Sequence, residues 1–145
     1  MFKHILIATD GSDNAAKAVI NGLELAKSLG ARVVILTTTE PFLGLAQADL
    51  NTIGFAIEEY EKATKAKAAR ILDQLRQDAL TQGVECETLH VNGFPAEAII
   101  EAAKAKGCDL IVMGSHGRRG IARLLLGSQA TKVVTLSSVP VLVCR

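Results

Sequence analysis

Two alternating patterns of hydrophobic and polar positions run along the chain. Short runs rich in β-branched and apolar residues stand at Lys3–Thr9, Arg32–Thr38, Glu85–Val91, Asp109–Met113 and Pro140–Cys144, and predict five strands. Longer stretches with helical spacing separate them. Residues 13–29 place Ala15, Ala16, Val19, Leu23, Ala26 and Leu29 on one face, and Gly30 follows as a stop signal. Residues 53–82 carry Ala68, Ile71, Leu72, Leu75 and Ala79 as their stripe, with Gly83 after them. Residues 95–106 open on Pro95, whose fixed φ suits a first helical position, bury Ile99, Ile100 and Ala103, and stop at Gly107. Residues 128–138 align Ala130, Val133, Val134 and Ser137.

Strands alternating with helices imply βαβ units and a parallel sheet covered on both faces, which is a three-layer α/β fold. Right-handed crossovers then favour a doubly wound five-stranded sheet with strand order 3-2-1-4-5. In that order the winding reverses between strands 1 and 4. The crevice beyond their carboxyl ends is the expected ligand site. The two most unusual loops, Thr9–Ser12 and Gly114–Ser128, leave those same strand ends. The stretch Glu40–Thr52 reads as a surface loop or partial lid, with a plain connector as the equal alternative.

Length and composition narrow the class. The 145 residues fit one domain spanning 1–145. Hydrophobic residues at 49% and charged residues at 21% exclude a disordered chain. A net charge of +1 gives no global field for nucleic acid or an anionic membrane, so neither is an expected partner. No apolar run approaches the roughly 20 residues of a membrane span, and the opening strand is followed by a turn rather than a cleavage site. Cys86, Cys108 and Cys144 stand far apart without a C-x-x-C pair. They read as packing residues of a cytoplasmic protein with reduced thiols.

The strongest chemical signal is Gly114-Ser115-His116-Gly117, then nine residues, then Gly127-Ser128. Gly114 is expected to turn sharply out of a buried strand, and Gly117 to let the backbone approach a ligand. Ser128 is expected as the cap of the last helix, whose first N–H groups lack helical partners. A helix N-terminus beside glycines suits a phosphate, through N–H donors and the positive end of the dipole. Taken on spacing alone, an ordinary turn and cap explain the same residues equally well. The chain has no G-x-x-x-x-G-K-[ST] motif. Its glycines follow strand 4, not strand 1 where a dinucleotide fingerprint belongs.

The pattern G-x2-G-x9-G-[ST], after Asp109-Leu110-Ile111-Val112-Met113, resembles the nucleotide-binding signature of the universal stress protein family. Three further blocks are similar to that family in the same order: Ile5-Leu6-Ile7-Ala8-Thr9-Asp10-Gly11-Ser12, Val91-Asn92-Gly93-Phe94-Pro95-Ala96 and Val139-Pro140-Val141-Leu142-Val143. The resemblance implies an adenine-nucleotide α-hydrolase-like fold and a homodimer. In the branch with the intact glycine signature it implies bound ATP, or ADP or AMP. It places Asp10 near the ribose, Gly114 and Gly117 beside the phosphates, and Gly127, Ser128, Gln129 and Ala130 in the segment whose amides and hydroxyl hold them. Thr38 falls where the family offers main-chain bonds to adenine. There the chain departs from the family's frequent His-Val, reading Thr37-Thr38. Ala8 stands where some relatives carry proline or another small residue.

Other residues have plainer alternatives. Asp10 also suits a structural turn, or an Mg²⁺ bridging the phosphates. His116 is either a phosphate donor or a hydrogen-bonded loop residue. His4 and His90 show no metal-ligand spacing. Arg118, Arg119 and Arg123 read as screening for the ligand's charge, as a partner surface, or as solvated loop charge. Strand 5 is an apolar edge at Val141, Leu142 and Val143, and an unprotected edge invites pairing, so a two-fold dimer through it is expected. No nucleophile–base pair, metal cluster or phosphoryl-transfer lysine is visible. The leading expectation is an ATP-binding regulatory protein of the stress response with at most slow hydrolysis, acting on an unknown protein partner. The alternatives are an adenylate-forming or pyrophosphate-cleaving enzyme, and a nucleotide-free stress protein.

Overall fold

A computed structural model describes residues 1–42, 49–116 and 126–145. The strands are β1 (His4–Ala8), β2 (Arg32–Thr39), β3 (Cys86–Asn92), β4 (Leu110–Gly114) and β5 (Val141–Cys144). The helices are α1 (Asp13–Leu29), α2 (Leu50–Thr81), α3 (Pro95–Lys106) and α4 (Ser128–Leu136). All four strand pairings are parallel, in the order β3-β2-β1-β4-β5. This is the doubly wound α/β sheet expected from the alternation.

The two faces of each strand feed two separate cores. Ile5 and Ile7 of β1, with Val33 and Ile35 of β2, pack under Val19, Leu23 and Ala26 of α1 and Leu72 and Ala79 of α2. Leu6, Val34, Leu36, Ile111 and Met113 face the other way, against Ala96, Ile99 and Ala103 of α3 and Ala130 and Val133 of α4. The period of two along a strand makes this division unavoidable. Each fully buried Leu or Ile contributes about 1.5–3 kcal/mol of burial free energy, so central β1, buried along its whole length, anchors both layers.

Several expectations shift by a residue or a face. In α1 the buried set is Ala15, Ala18, Val19, Gly22, Leu23 and Ala26, while Ala16 and Leu29 are exposed. Gly22 takes the place of a larger residue because a Cβ there would lie 2.6 Å from Ile7 Cδ1. Helix α2 starts at Leu50, with Asp49 at its N-cap, so the last residues of the expected 40–52 loop are helical. Residues 43–48 of that stretch lie outside the described residues. Helix α4 ends at Leu136, and Val134 stands exposed rather than packed. Cys108 and Cys144 are buried and Cys86 half-buried. Burial raises the Cys86 thiol pKa, and burial with nearby Asp109 pushes that of Cys108 up to about 11, so neither is a ready thiolate.

Candidate functional site

The end of β1 runs into a tight turn built from its own side chains. Thr9 Oγ1 accepts from Gly11 N–H at 3.1 Å, and Asp10 Oδ1 accepts from Ser12 N–H at 2.9 Å. Ser12 Oγ then caps α1 by accepting from Ala15 N–H at 3.2 Å. Gly11 sits at φ +77°, and a Cβ there would meet Ile71 Cδ1 at 2.7 Å, so this corner of the turn admits only glycine. Both Asp10 and Ala8 lie at the carboxyl end of β1, Ala8 buried and Asp10 half-buried. The Asp10 carboxylate serves the turn, as its structural reading anticipated.

Next to this turn, the main chain of β2 outruns β1. The last β1–β2 link is Thr9 N–H to the Leu36 carbonyl at 2.9 Å. On a parallel strand the N–H and C=O of alternate residues point to the same side. Thr38, two residues after Leu36, therefore directs its main-chain groups towards the β1 side, past the point where that ladder stops. Thr37 is buried, and Thr39 Oγ1 lies 2.7 Å from His90 Nε2 on β3. The polar Thr37-Thr38 pair thus fits the strand end without changing its main-chain donors and acceptors.

On the other side of the switch point, Gly114 is the last residue of β4 and not a sharp turn. Its glycine has a different cause from the one expected: a Cβ would lie 3.2 Å from the Asn14 carbonyl oxygen in the first turn of α1. Ser115 continues the strand pairing by donating its N–H to the Cys144 carbonyl at 2.9 Å. His116 is half-buried, with Nδ1 3.1 Å from Ser115 Oγ. Gly127 donates its N–H to the Ser115 carbonyl at 2.8 Å. Gly117, with Arg118, Arg119 and Arg123, lies outside the described residues.

The start of α4 also differs from expectation. Gly127, not Ser128, is the N-cap, with φ −62° and ψ 160°, and no side chain among the described residues caps this helix. Ser128 is already helical, so its hydroxyl cannot take the capping geometry, which needs extended backbone. The first helical bond runs from Thr131 N–H to the Gly127 carbonyl at 2.9 Å. The N–H groups of Ser128, Gln129 and Ala130 consequently have no acceptor among the described residues. They form an uncapped, electropositive helix end. The Gln129 side chain is engaged elsewhere: its Oε1 accepts from Ala96 N–H at 3.1 Å.

Other groups do not join this site. Among the described residues no three His, Cys, Asp or Glu side chains gather to hold a metal, and no helix is long and apolar enough to cross a membrane. A crevice of about 340 Å³ lies at the opposite end of the sheet, lined by Lys3, Lys27, Arg32 and Glu85. Its cations sit beside the C-terminal end of α1, whose negative dipole end they offset. The contacts that sequence reading missed are the Ser115 and Asn14 carbonyls and the Gln129 side chain. A trace of the last was available, because Phe94 before Pro95 offers α3 no capping acceptor.

A parallel doubly wound sheet with an uncapped helix end at its switch point defines a class of α/β proteins suited to binding anionic ligands. The universal stress protein family profile matches residues 1–145, and the chain belongs to that family. It is 38% identical over 152 aligned residues to Universal stress protein YxiE of Bacillus subtilis, with 100% of both chains covered. Universal stress protein UspA from Lactobacillus plantarum superposes with a TM-score of 0.86 at 25% identity, covering 99% of this chain and 98% of that one. A universal stress protein solved in complex with cAMP superposes with a TM-score of 0.72 at 27% identity, covering 99% and 97%.

Proposed function

We propose that this chain is a regulatory protein that binds an adenine nucleotide, ATP in the first place, and acts as a homodimer with at most slow hydrolysis. The observation that carries the reading is the uncapped start of α4. Three main-chain donors, of Ser128, Gln129 and Ala130, stand without acceptors among the described residues at the switch point, where a phosphate would supply them. The Thr38 main chain, pointing past the end of β1, supplies a donor and an acceptor for the edge of a purine. Ala8 and Asp10 at the end of β1, and Gly114 and His116 at the end of β4, are assigned to the same site, as is Gly117, which lies outside the described residues. The likeness to a universal stress protein in complex with cAMP supports the adenine class.

Mg²⁺ enters this reading with the phosphates and not through a protein carboxylate cluster. Two further features support a dimer through β5. That strand is an edge of the sheet, and Leu142 on it is 39% exposed. Val134 and Leu136 of α4 are 47% and 60% exposed. An apolar edge strand beside exposed helix residues favours pairing with a second copy.

Calorimetric titration of nucleotide-stripped protein with ATP, ADP, AMP, cAMP and adenosine, with and without Mg²⁺, tests the site. Saturable ATP binding below millimolar concentration, with negligible phosphate or pyrophosphate release over an hour, is the expected result. No binding at millimolar ATP overturns the nucleotide assignment, and rapid turnover overturns the regulatory one.

A further inference from the structure

Helix α3 begins without a cap of its own. Phe94 occupies its N-cap position and makes no side-chain hydrogen bond, and Pro95 follows. The first orphan donor is then the N–H of Ala96, buried in the α3–α4 core. Its acceptor comes from another helix, as Gln129 Oε1 at 3.1 Å. One turn further on, Lys132 Nζ meets Glu97 Oε1 at 2.8 Å, joining the same two helix starts a second time. The turn leading into α3 is tied at its other end as well, since Gly93 donates to the Thr39 carbonyl at 2.9 Å. The Gly93–Ala96 turn therefore touches β2 beside Thr38 and α4 beside Ser128. It braces the two ends of the crevice against each other.

We propose that the Gln129 side chain is a positioning device for the phosphate end of the site: by capping α3 it holds the first turn of α4 in the orientation that aims the Ser128–Ala130 amides at the ligand. This rests on the nucleotide reading above. The main chain and side chain of Gln129 then act separately, the amide on the ligand and the carboxamide on α3. A Ser or Asp at position 94 would cap α3 locally. Taking the acceptor from α4 makes the two helix starts move as one body.

Gln129→Met tests this, because it keeps length and helix propensity while removing the acceptor. The expected result is about a fivefold loss of ATP affinity by calorimetry, the fold-change of one net hydrogen bond, with adenosine affinity within twofold of the parent. Phe94→Ser in the Gln129→Met background restores a local cap to α3. It is expected to recover the melting temperature and the slow exchange of the Ala96 amide without recovering ATP affinity. This double variant also covers the case in which Gln129→Met alone folds poorly. Unchanged ATP affinity in Gln129→Met overturns the proposal, as does equal loss for ATP and adenosine, or full recovery of ATP binding by Phe94→Ser. If the parent protein binds no nucleotide, the nucleotide reading fails and this inference with it. The amide-exchange comparison then reports separately on the α3 cap.

Discussion

Gly127 and Ser115 are joined across the segment between them by a 2.8 Å bond from the Gly127 N–H to the Ser115 carbonyl. The approach depends on a missing side chain. A Cβ on Gly127 would lie 2.9 Å from that same carbonyl oxygen and 3.5 Å from His116 Cα. The backbone at Gly127 is ordinary extended chain, so steric contact and not conformational freedom explains the glycine.

Gly127→Ala is accordingly expected to destabilise the protein by about 1–3 kcal/mol, the usual cost of overpacking against backbone. It is also expected to weaken ATP binding, because the start of α4 must shift. Thermal melts and nucleotide titrations of the variant check both effects. A variant as stable as the parent would remove the steric explanation.

Gly54 is the opposite case. It lies inside α2, and a Cβ there would meet nothing within 4 Å. Gly54→Ala is expected to stabilise by about 0.5–1 kcal/mol through the unfolded chain and helix propensity. For a protein of this size that is a rise of roughly 1.5–3 °C in Tm. A fall in Tm would show that this turn of the helix is not packed as described.

Acidification is expected to weaken the fold through two histidines. Burial, and then the Arg32 guanidinium, hold the His4 pKa below the usual value, and Nδ1 of this ring has no hydrogen-bond partner among the described residues. Burial and Lys65 do the same for His90. Both rings favour the neutral form when folded, so the unfolded chain takes up protons first as pH falls through about 6.5. The stabilisation is complete above that pH and is lost progressively towards the lowered folded values. Urea midpoints measured between pH 7.5 and 5.5 should fall, and His4→Leu should flatten the slope. Equal slopes in parent and variant would count against His4 as a contributor.

The edge strand gives a prediction about assembly. A lysine on an exposed edge opposes strand pairing. Leu142→Lys is expected to convert a species of twice 15.3 kDa into one of 15.3 kDa in sedimentation equilibrium, with the far-ultraviolet circular dichroism unchanged. A parent protein that already sediments as the single chain would rule out the pairing.

Much of the architecture was legible from periodicity. The apolar runs Lys3–Thr9 and Arg32–Thr38 mark strands of a sheet covered on both faces, and the structure sorts Ile5, Ile7, Val33 and Ile35 to one core and Leu6, Val34 and Leu36 to the other. One helix start and two stops follow from local chemistry at Pro95, Gly30 and Gly107, whereas the Ser12 cap of α1 emerges from the structure. The site was legible only in part. Its glycines follow from spacing, but Gly114 is held by the Asn14 carbonyl and not by the sharp turn expected of it, and the steric contact at Gly127 has no local signal. Ser128 was read as a cap although Gly127 holds that position. Such assignments depend on where a neighbouring carbonyl falls, and no local pattern encodes that.

The order of apolar and polar residues along the chain thus determined the elements, their alternation and the parallel winding, because each of these follows from local periodicity and the handedness of the crossover. Tertiary structure alone decided that the Asn14 and Ser115 carbonyls press on Gly114 and Gly127, and that Gln129 completes a helix 33 residues away. Those contacts join segments distant in sequence, and they exist only once the sheet has brought the ends of β1 and β4 together.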